Sequence, residues 1–408
     1  MKKTVLLLFV LSVCFAVQAQ DSTLTVQKRP ADPVPDPVVP APGKFTFSGY
    51  MDTYYFGNFN SPSDQLNIGM GGGARAFDQR AGQFGVGLIQ AKATYVSDKV
   101  DAVFDLTWGS FADLGNYGNV FSLNTGAATS TALAIKQAYL TLKATPKLSF
   151  TAGQFGTHIG YEVIDAPINY NYSLSNLFNN GPFYHVGLKA QYAFSDRAYL
   201  MVGIVNNVDR IYDNNHAKGF IAQLFVSPAK GWNVYLNTAI SNEADKKATG
   251  KDTTGMYSIY DLTTTYQITD RFLLGLNAVT GWQTGGYQLQ ANPYATGTYV
   301  NKSTNWGGVA LYANYALTSK FGIGGRYDYF DNSGGARALL APSSDGTTYQ
   351  GVTVTSVTVT GNIIVGDGHV LLKPELRMDS YSKNKFADGD NKLTKSQTTL
   401  GMAAIFKF

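Results

Sequence analysis

Seven very short connections alternate strictly with eight long ones along this chain, and the segments between them alternate in polarity. The short ones are Ser97-Asp98-Lys99, Thr145-Pro146-Lys147, Ser195-Asp196-Arg197, Ser227 to Gly231, Thr269-Asp270-Arg271, Thr318-Ser319-Lys320 and Gly366-Asp367-Gly368, all tight-turn material. The long ones are rich in Gly, Asn and Ser and lie near residues 58–82, 112–130, 157–182, 207–216, 242–255, 283–304, 332–350 and 382–396. Fifteen connections in up-and-down order join 16 strands and leave both chain ends on the short-turn side. An even count with that asymmetry is what a closed antiparallel barrel in a bilayer requires. The expected fold is therefore all-β: a transmembrane antiparallel up-and-down β-barrel of about 16 strands, with short periplasmic turns and long extracellular loops. Strands of roughly 11 residues leave roughly 20 residues for each long loop, which is too few for a plug domain.

The two faces of each segment carry different chemistry. Val100, Ala102, Phe104, Leu106 and Trp108 share one parity, against Asp101, Asp105 and Thr107 on the other. Trp232, Val234, Leu236, Thr238 and Ile240 likewise oppose Asn233, Asn237 and Ser241, and Leu400, Met402, Ala404, Phe406 and Phe408 oppose Thr399, Gly401, Ala403 and Lys407. A soluble sandwich alternates in the same way, so the loop asymmetry and the terminal aromatic Phe408 decide for the membrane. Tyr95, Tyr192, Tyr266, Tyr315, Tyr327 and Tyr329 suit interfacial girdles, where a ring meets hydrocarbon and its hydroxyl meets water. Pro374 sits inside a strand, where its missing donor predicts a bulge or kink.

Lys2 and Lys3 precede an apolar run from Thr4 to Val17 that ends at Val17-Gln18-Ala19, so residues 1–19 read as a secretory signal peptide cleaved near Ala19. Leu11-Ser12-Val13-Cys14 is a poor lipobox, because Val13 stands where a small residue belongs. Six of 14 prolines fall between Pro30 and Pro42, and residues 20–44 read as a Pro-rich periplasmic tether before an outer-membrane barrel over 45–408. Cys14 is the sole cysteine, so the mature chain relies on its sheet rather than on disulfides. After the leader no stretch is apolar for the 18 or so residues that a spanning helix needs. The formal charge of +4 includes Lys2 and Lys3 and is too weak and dispersed to attract nucleic acid.

With its terminal Phe408, its leader and its strand count, the chain resembles a Gram-negative outer-membrane porin. Within that class, Ala152-Gly153-Gln154-Phe155, Gly160-Tyr161-Glu162, Asn169-Tyr170-Asn171-Tyr172-Ser173-Leu174-Ser175 and Gly181-Pro182-Phe183-Tyr184-His185 resemble the OmpL-like β-barrel porin family. Leu174 departs from that family, where a basic residue is expected between the two serines. The resemblance implies passive transport, periplasmic termini, a homotrimer, and recognition of Phe408 by the barrel-assembly machinery as an assembly signal.

In a wide barrel, selectivity follows from ionisable residues on the inner face. Lys373, Glu375, Arg377 and Asp379 share one parity of the fifteenth strand, opposite Val370, Leu372, Leu376 and Met378. Against lipid each Lys or Arg would cost roughly 2–4 kcal/mol at mid-depth, so the ladder must face inward. Arg326 and Asp328 on the thirteenth strand, Lys189 and His185 on the sixth, Lys92 on the second, Asp52 on the first and Asp261 on the tenth follow the same rule; most read as wall residues that balance one another. The third long loop carries Glu162 and Asp165, and the resemblance to general porins implies that it folds into the lumen. There the two acids are expected to face Arg326, Lys373 and Arg377 across a constriction, whose field would orient dipolar solutes.

Catalysis finds little support. His158, His185, His216 and His369 form no close ligand pair, and no G-x-S-x-G elbow is present. Asp388-Gly389-Asp390-Asn391 lacks the bidentate acid of a calcium loop, and the glycines from Gly69 to Gly73 open no helix to cradle phosphate. The reading is a non-enzymatic porin in outer-membrane lipid that passes small hydrophilic solutes or ions and needs neither cofactor nor metal. Two alternatives remain: an adhesin or surface-binding barrel with a blocked lumen, and an outer-membrane hydrolase.

Overall fold

The computed structural model describes residues 43–70, 72–115, 134–213, 215–243, 255–283, 304–337, 339–344 and 349–408. The leader, nearly all of the Pro-rich segment and parts of the long loops near 112–130, 207–216, 242–255, 283–304 and 332–350 lie outside the described residues. The first half of the barrel comprises β1 (Lys44–Asn58), β2 (Phe84–Val96), β3 (Val100–Trp108), β4 (Ile135–Lys143), β5 (Leu148–Gly156), β6 (Tyr184–Ser195), β7 (Ala198–Val205) and β8 (Gly219–Ala229). The chain continues through β9 (Trp232–Asn242), β10 (Met256–Thr269), β11 (Phe272–Gln283), β12 (Thr304–Ala316) and β13 (Phe321–Asp331). A loop hairpin of β14 (Leu340–Pro342) and β15 (Tyr349–Gly351) comes next, then β16 (Thr353–Val365) and β17 (Val370–Tyr381). A second loop hairpin, β18 (Phe386–Ala387) with β19 (Leu393–Thr394), precedes the closing strand β20 (Ser396–Lys407).

Sixteen of these strands form one closed antiparallel barrel in chain order, from β1 round to β13, then β16, β17 and β20. β20 returns to β1 in register from Tyr50↔Lys407 to Asn58↔Thr399, so no edge is left open to hydrocarbon. The loops add elements that strand periodicity could not predict: the two hairpins and the short helices α1 (Ser110–Gly115) and α2 (Asn176–Asn180).

The faces divide as alternation requires. Phe104, Leu106, Trp108, Leu236, Leu400 and Met402 are exposed on the outside, whereas Asp105, Thr107, Asn237, Ser241 and Thr399 are buried inside. Tyr192, Tyr266, Tyr315, Tyr327 and Tyr329 also face outward, although Tyr327 stands in the middle of β13 rather than at an end. Phe408 extends the last strand by pairing with Gly49 through two backbone bonds of 3.1 and 3.2 Å, and its ring leans on Phe47 with centroids 5.7 Å apart.

Pro374 makes no bulge. Thr360 pairs with Glu375 and Ile363 with Leu372, so equal lengths of β16 and β17 span the gap and the register never slips. Gly361 stands opposite; a Cβ there would lie 3.0 Å from the proline ring, so the missing side chain makes room for it. True bulges occur elsewhere. One lies between β1 and β2 at Met51/Thr53, where the Asp52 carboxylate accepts from the Leu88 amide at 2.5 Å. Another inserts one extra residue of β4, Lys136, opposite the Asp105/Leu106 step of β3.

Leu236 lies near the middle of β9 on the lipid face. Leu236→Arg should lower the free energy of folding into phospholipid vesicles by roughly 2–4 kcal/mol, measured by denaturant titration, because an unpaired cation would sit in hydrocarbon. An unchanged midpoint would mean that this face does not meet lipid.

Candidate functional site

The third long loop leaves β5 at Gly156 and returns to β6 at Tyr184, and its base is closed by the Thr157 amide donating to the Phe183 carbonyl at 3.0 Å. Its side chains and backbone then bond to inward-facing residues on staves all round the barrel. The His158 ring nitrogen meets the Thr238 carbonyl at 3.0 Å on β9, and the Gly160 amide donates to Asp261 at 3.2 Å on β10. Asn171 donates to Thr360 at 2.7 Å on β16, and the Tyr172 hydroxyl donates to Asp52 at 2.5 Å on β1. Missing wall side chains make room for the loop: a Cβ on Gly275 would fall 2.6 Å from the Tyr161 ring, and one on Gly324 would fall 3.0 Å from Tyr170.

The ionisable ladder points inward, and loops cover it. Arg326 donates to Glu162 at 2.7 Å and to Asp328 at 3.1 Å, and also to the Ser173 carbonyl at 2.5 Å. Glu375 accepts from the amides of Tyr172 at 2.7 Å and Ser173 at 3.1 Å. Asp328 accepts from the Asn176 amide at 3.0 Å at the start of α2, whose N-cap hydroxyl, Ser175 Oγ, accepts from the Phe178 amide at 3.1 Å. Arg377 bonds Asp379 at 2.8 Å and the Leu174 carbonyl at 2.7 Å, and Lys373 donates to the Asn169 carbonyl. From the first long loop, Arg75 adds a second cation on Asp379 at 2.9 Å. Burying so many charges is tolerable only because each finds an opposite charge or a peptide dipole.

This differs in two respects from the arrangement the sequence leads one to expect. Glu162 does reach Arg326, but in direct contact rather than across an open gap. Asp165 pairs instead with Lys136 at 2.5 Å and accepts from Gln90 at 3.0 Å; Lys136 also lies 3.4 Å from Asp105. By simple alternation Lys136 belongs on the lipid face, and the β4 bulge turns it inward beside Gln137, which donates to the same Asp105 at 3.0 Å. A lysine on an apolar parity is itself the signal that the register must slip there. Arg75 gives no such signal, since it lies in a long loop without periodicity.

Two cavities flank the loop segment that runs from His158 to Val163. One of about 380 Å³ reaches Thr265 and Leu273 near the short-turn end, and one of about 300 Å³ reaches Thr107, Gly115 and Tyr184 near the long-loop end. Lys136 and Asp165 line the second. Where the loop rejoins β6, Asp209 accepts from the Phe183 and Tyr184 amides at 2.5 and 3.1 Å. Among the described residues no group of three or more His, Cys, Asp or Glu is placed to hold a metal ion.

A closed barrel of 16 staves crossed by an inward third loop defines a porin-like outer-membrane channel. The chain belongs to the family described as "Putative beta-barrel porin-2, OmpL-like", whose model matches residues 44–408. No curated protein matches it. Among solved structures, the anion-selective porin from Comamonas acidovorans is 11% identical, with 90% of this chain and 100% of that chain covered at a TM-score of 0.55. OprB of Pseudomonas putida is 13% identical, covering 89% and 94% at 0.53. Salmonella typhi OmpF, in complex with daunomycin, is 10% identical, covering 90% and 98% at 0.52. Likeness at these identities is a likeness of fold.

Arg326→Ala should destabilise the folded barrel by about 3–5 kcal/mol, because Glu162 and Asp328 would stay buried without their shared cation; denaturant titration of the vesicle-folded protein measures it. A second test concerns pH. Burial pushes the Asp209 carboxyl up to about 7, despite its two amide donors. An unfolded Asp titrates near 4, so between about pH 4 and 7 the folded state holds a proton that the unfolded chain has lost, and stability falls as pH rises. Asp209→Asn removes this titration, so its Tm relative to wild type should climb from pH 4 to pH 8. A constant difference would show that Asp209 does not titrate in that window.

Proposed function

We propose that this porin is a passive pore for small hydrophilic solutes or ions, narrowed by its third long loop to a passage beside β4–β11. The observation that carries the reading is the pair of cavities on opposite faces of the His158–Val163 segment, which both reach His158, Gly160, Glu162 and Val163. The opposite side of the lumen, along β13, β16, β17 and β20, is filled by loop contacts on the charged ladder. Passage there would require breaking several buried ion pairs.

Selectivity in this reading belongs to Lys136 and Asp165 more than to the ladder. Their side chains keep 17% and 14% of their surface, whereas those of Arg326, Asp328, Arg377 and Asp379 keep none. A mobile ion is steered by charges that it can approach through water. Export by a cleaved leader, recognition of Phe408 by the assembly machinery and a homotrimer complete the proposal. No catalytic step is part of it.

Purified protein in planar bilayers should give defined open-channel steps; silence at every voltage would sink the pore reading and favour an adhesin. Under a salt gradient, Lys136→Gln should shift the reversal potential toward cations. Arg377→Ala should leave that potential unchanged while lowering thermal stability. The reverse pattern would put the selective charges back on the ladder.

A further inference from the structure

The larger cavity has a chemistry of its own. Its walls carry two aromatic stacks. On one side Tyr161 of the loop lies flat on Tyr312 of β12, with ring centroids 4.0 Å apart. On the other, Tyr235 of β9 continues through Phe225 of β8 to Tyr199 of β7, with centroids 4.9 and 5.0 Å apart. These three rings share the parity of Asn237, Ile221 and Met201, which are buried, and oppose Leu236, Phe220 and Leu200, which face lipid. They therefore form an aromatic track on the inner wall that ends in the cavity at Tyr235.

The polar groups there are amides and hydroxyls. Gln223, Asn237, Thr263, Thr265 and Asn169 line the cavity, and among the described residues no lysine or arginine lines it. The one carboxylate among its described lining residues, Glu162, is spent on Arg326 and on the Ser175 amide. His158 is neutral at physiological pH, since burial lowers it to about 4. A charged solute would be desolvated here without a counter-charge; Gln223 and Asn237 bond each other and Asn169 bonds Val163, so what they offer a solute is their remaining hydrogen-bonding capacity, which a purely apolar one would leave unused. A saturated ring with apolar faces and a rim of hydroxyls satisfies both the aromatic walls and the amides. The volume of about 380 Å³ lies within the range of small-molecule sites.

We infer that the cavity between Tyr161/Tyr312 and Tyr235 is a binding subsite for an uncharged sugar or similar cyclic polyol, with the Phe225 and Tyr199 rings as its continuation along the wall. This deepens the pore reading and rests on it. Single-channel recording separates the two. With maltose as the probe, the open current should show concentration-dependent interruptions, while a flexible polyethylene glycol of equal mass and the anion gluconate should give none at the same concentration.

Tyr235→Leu leaves an apolar side chain but removes the aromatic face, so it should raise the half-blocking maltose concentration about tenfold. Phe225→Leu should act in the same direction and guards against one variant failing to fold. Open channels that maltose does not interrupt, block by the polyethylene glycol equal to that by maltose, or variants that bind maltose like wild type would each overturn the subsite and leave the pore standing. Absence of any channel would overturn the pore itself.

Discussion

Hydrocarbon offers a peptide group no hydrogen-bond partner, so every N–H and C=O that crosses a bilayer must be satisfied within the protein. In this chain the pairing of β20 with β1 meets that demand, because it closes sixteen antiparallel strands into a cylinder without an edge. The outer surface then has to be apolar, and the inner one is free to carry the charges that lipid would exclude. The inward ladder, the docking of the third loop and the cavities beside it all follow from that closure.

A closed wall carrying many charges poses a second problem, which the loops solve. Lys373, Glu375, Arg377 and Asp379 alternate in sign along β17, and each also bonds to a partner from outside that strand. Much of the partnership is backbone: carbonyls of Asn169, Ser173 and Leu174 meet the cations, while amides of Tyr172, Ser173 and Asn176 meet the acids. A loop segment without charged side chains suits that task, since it can present consecutive peptide dipoles to a row of alternating charges. The Asn-Tyr-Asn-Tyr-Ser-Leu-Ser stretch is therefore a strap.

The consequence for the lumen is asymmetry. Loop contacts occupy the β13 to β20 side of the lumen, whereas the β4 to β11 side keeps two cavities and a wall of tyrosines and amides. Lys136 and Asp165 keep part of their surface beside the second cavity, and a single bulge in β4 is what places Lys136 there. In the proposed pore, one inserted residue in a strand thus brings an ionisable group to the passage.

The strand count, the turn asymmetry and the inward parity of the ladder were legible in the sequence, because period-two alternation and turn composition are local properties of the backbone. That Glu162 would meet Arg326 followed only from resemblance, since the two residues lie 164 positions apart. The partner of Asp165 and the covering of Arg377 were not legible. The first depends on a bulge that breaks alternation at Lys136, and the second on where the first and third loops settle once the cylinder is closed. Side-chain direction along a strand is set by the nearest neighbours in the chain, whereas the exposure of a buried charge is set by distant segments that come together only in three dimensions.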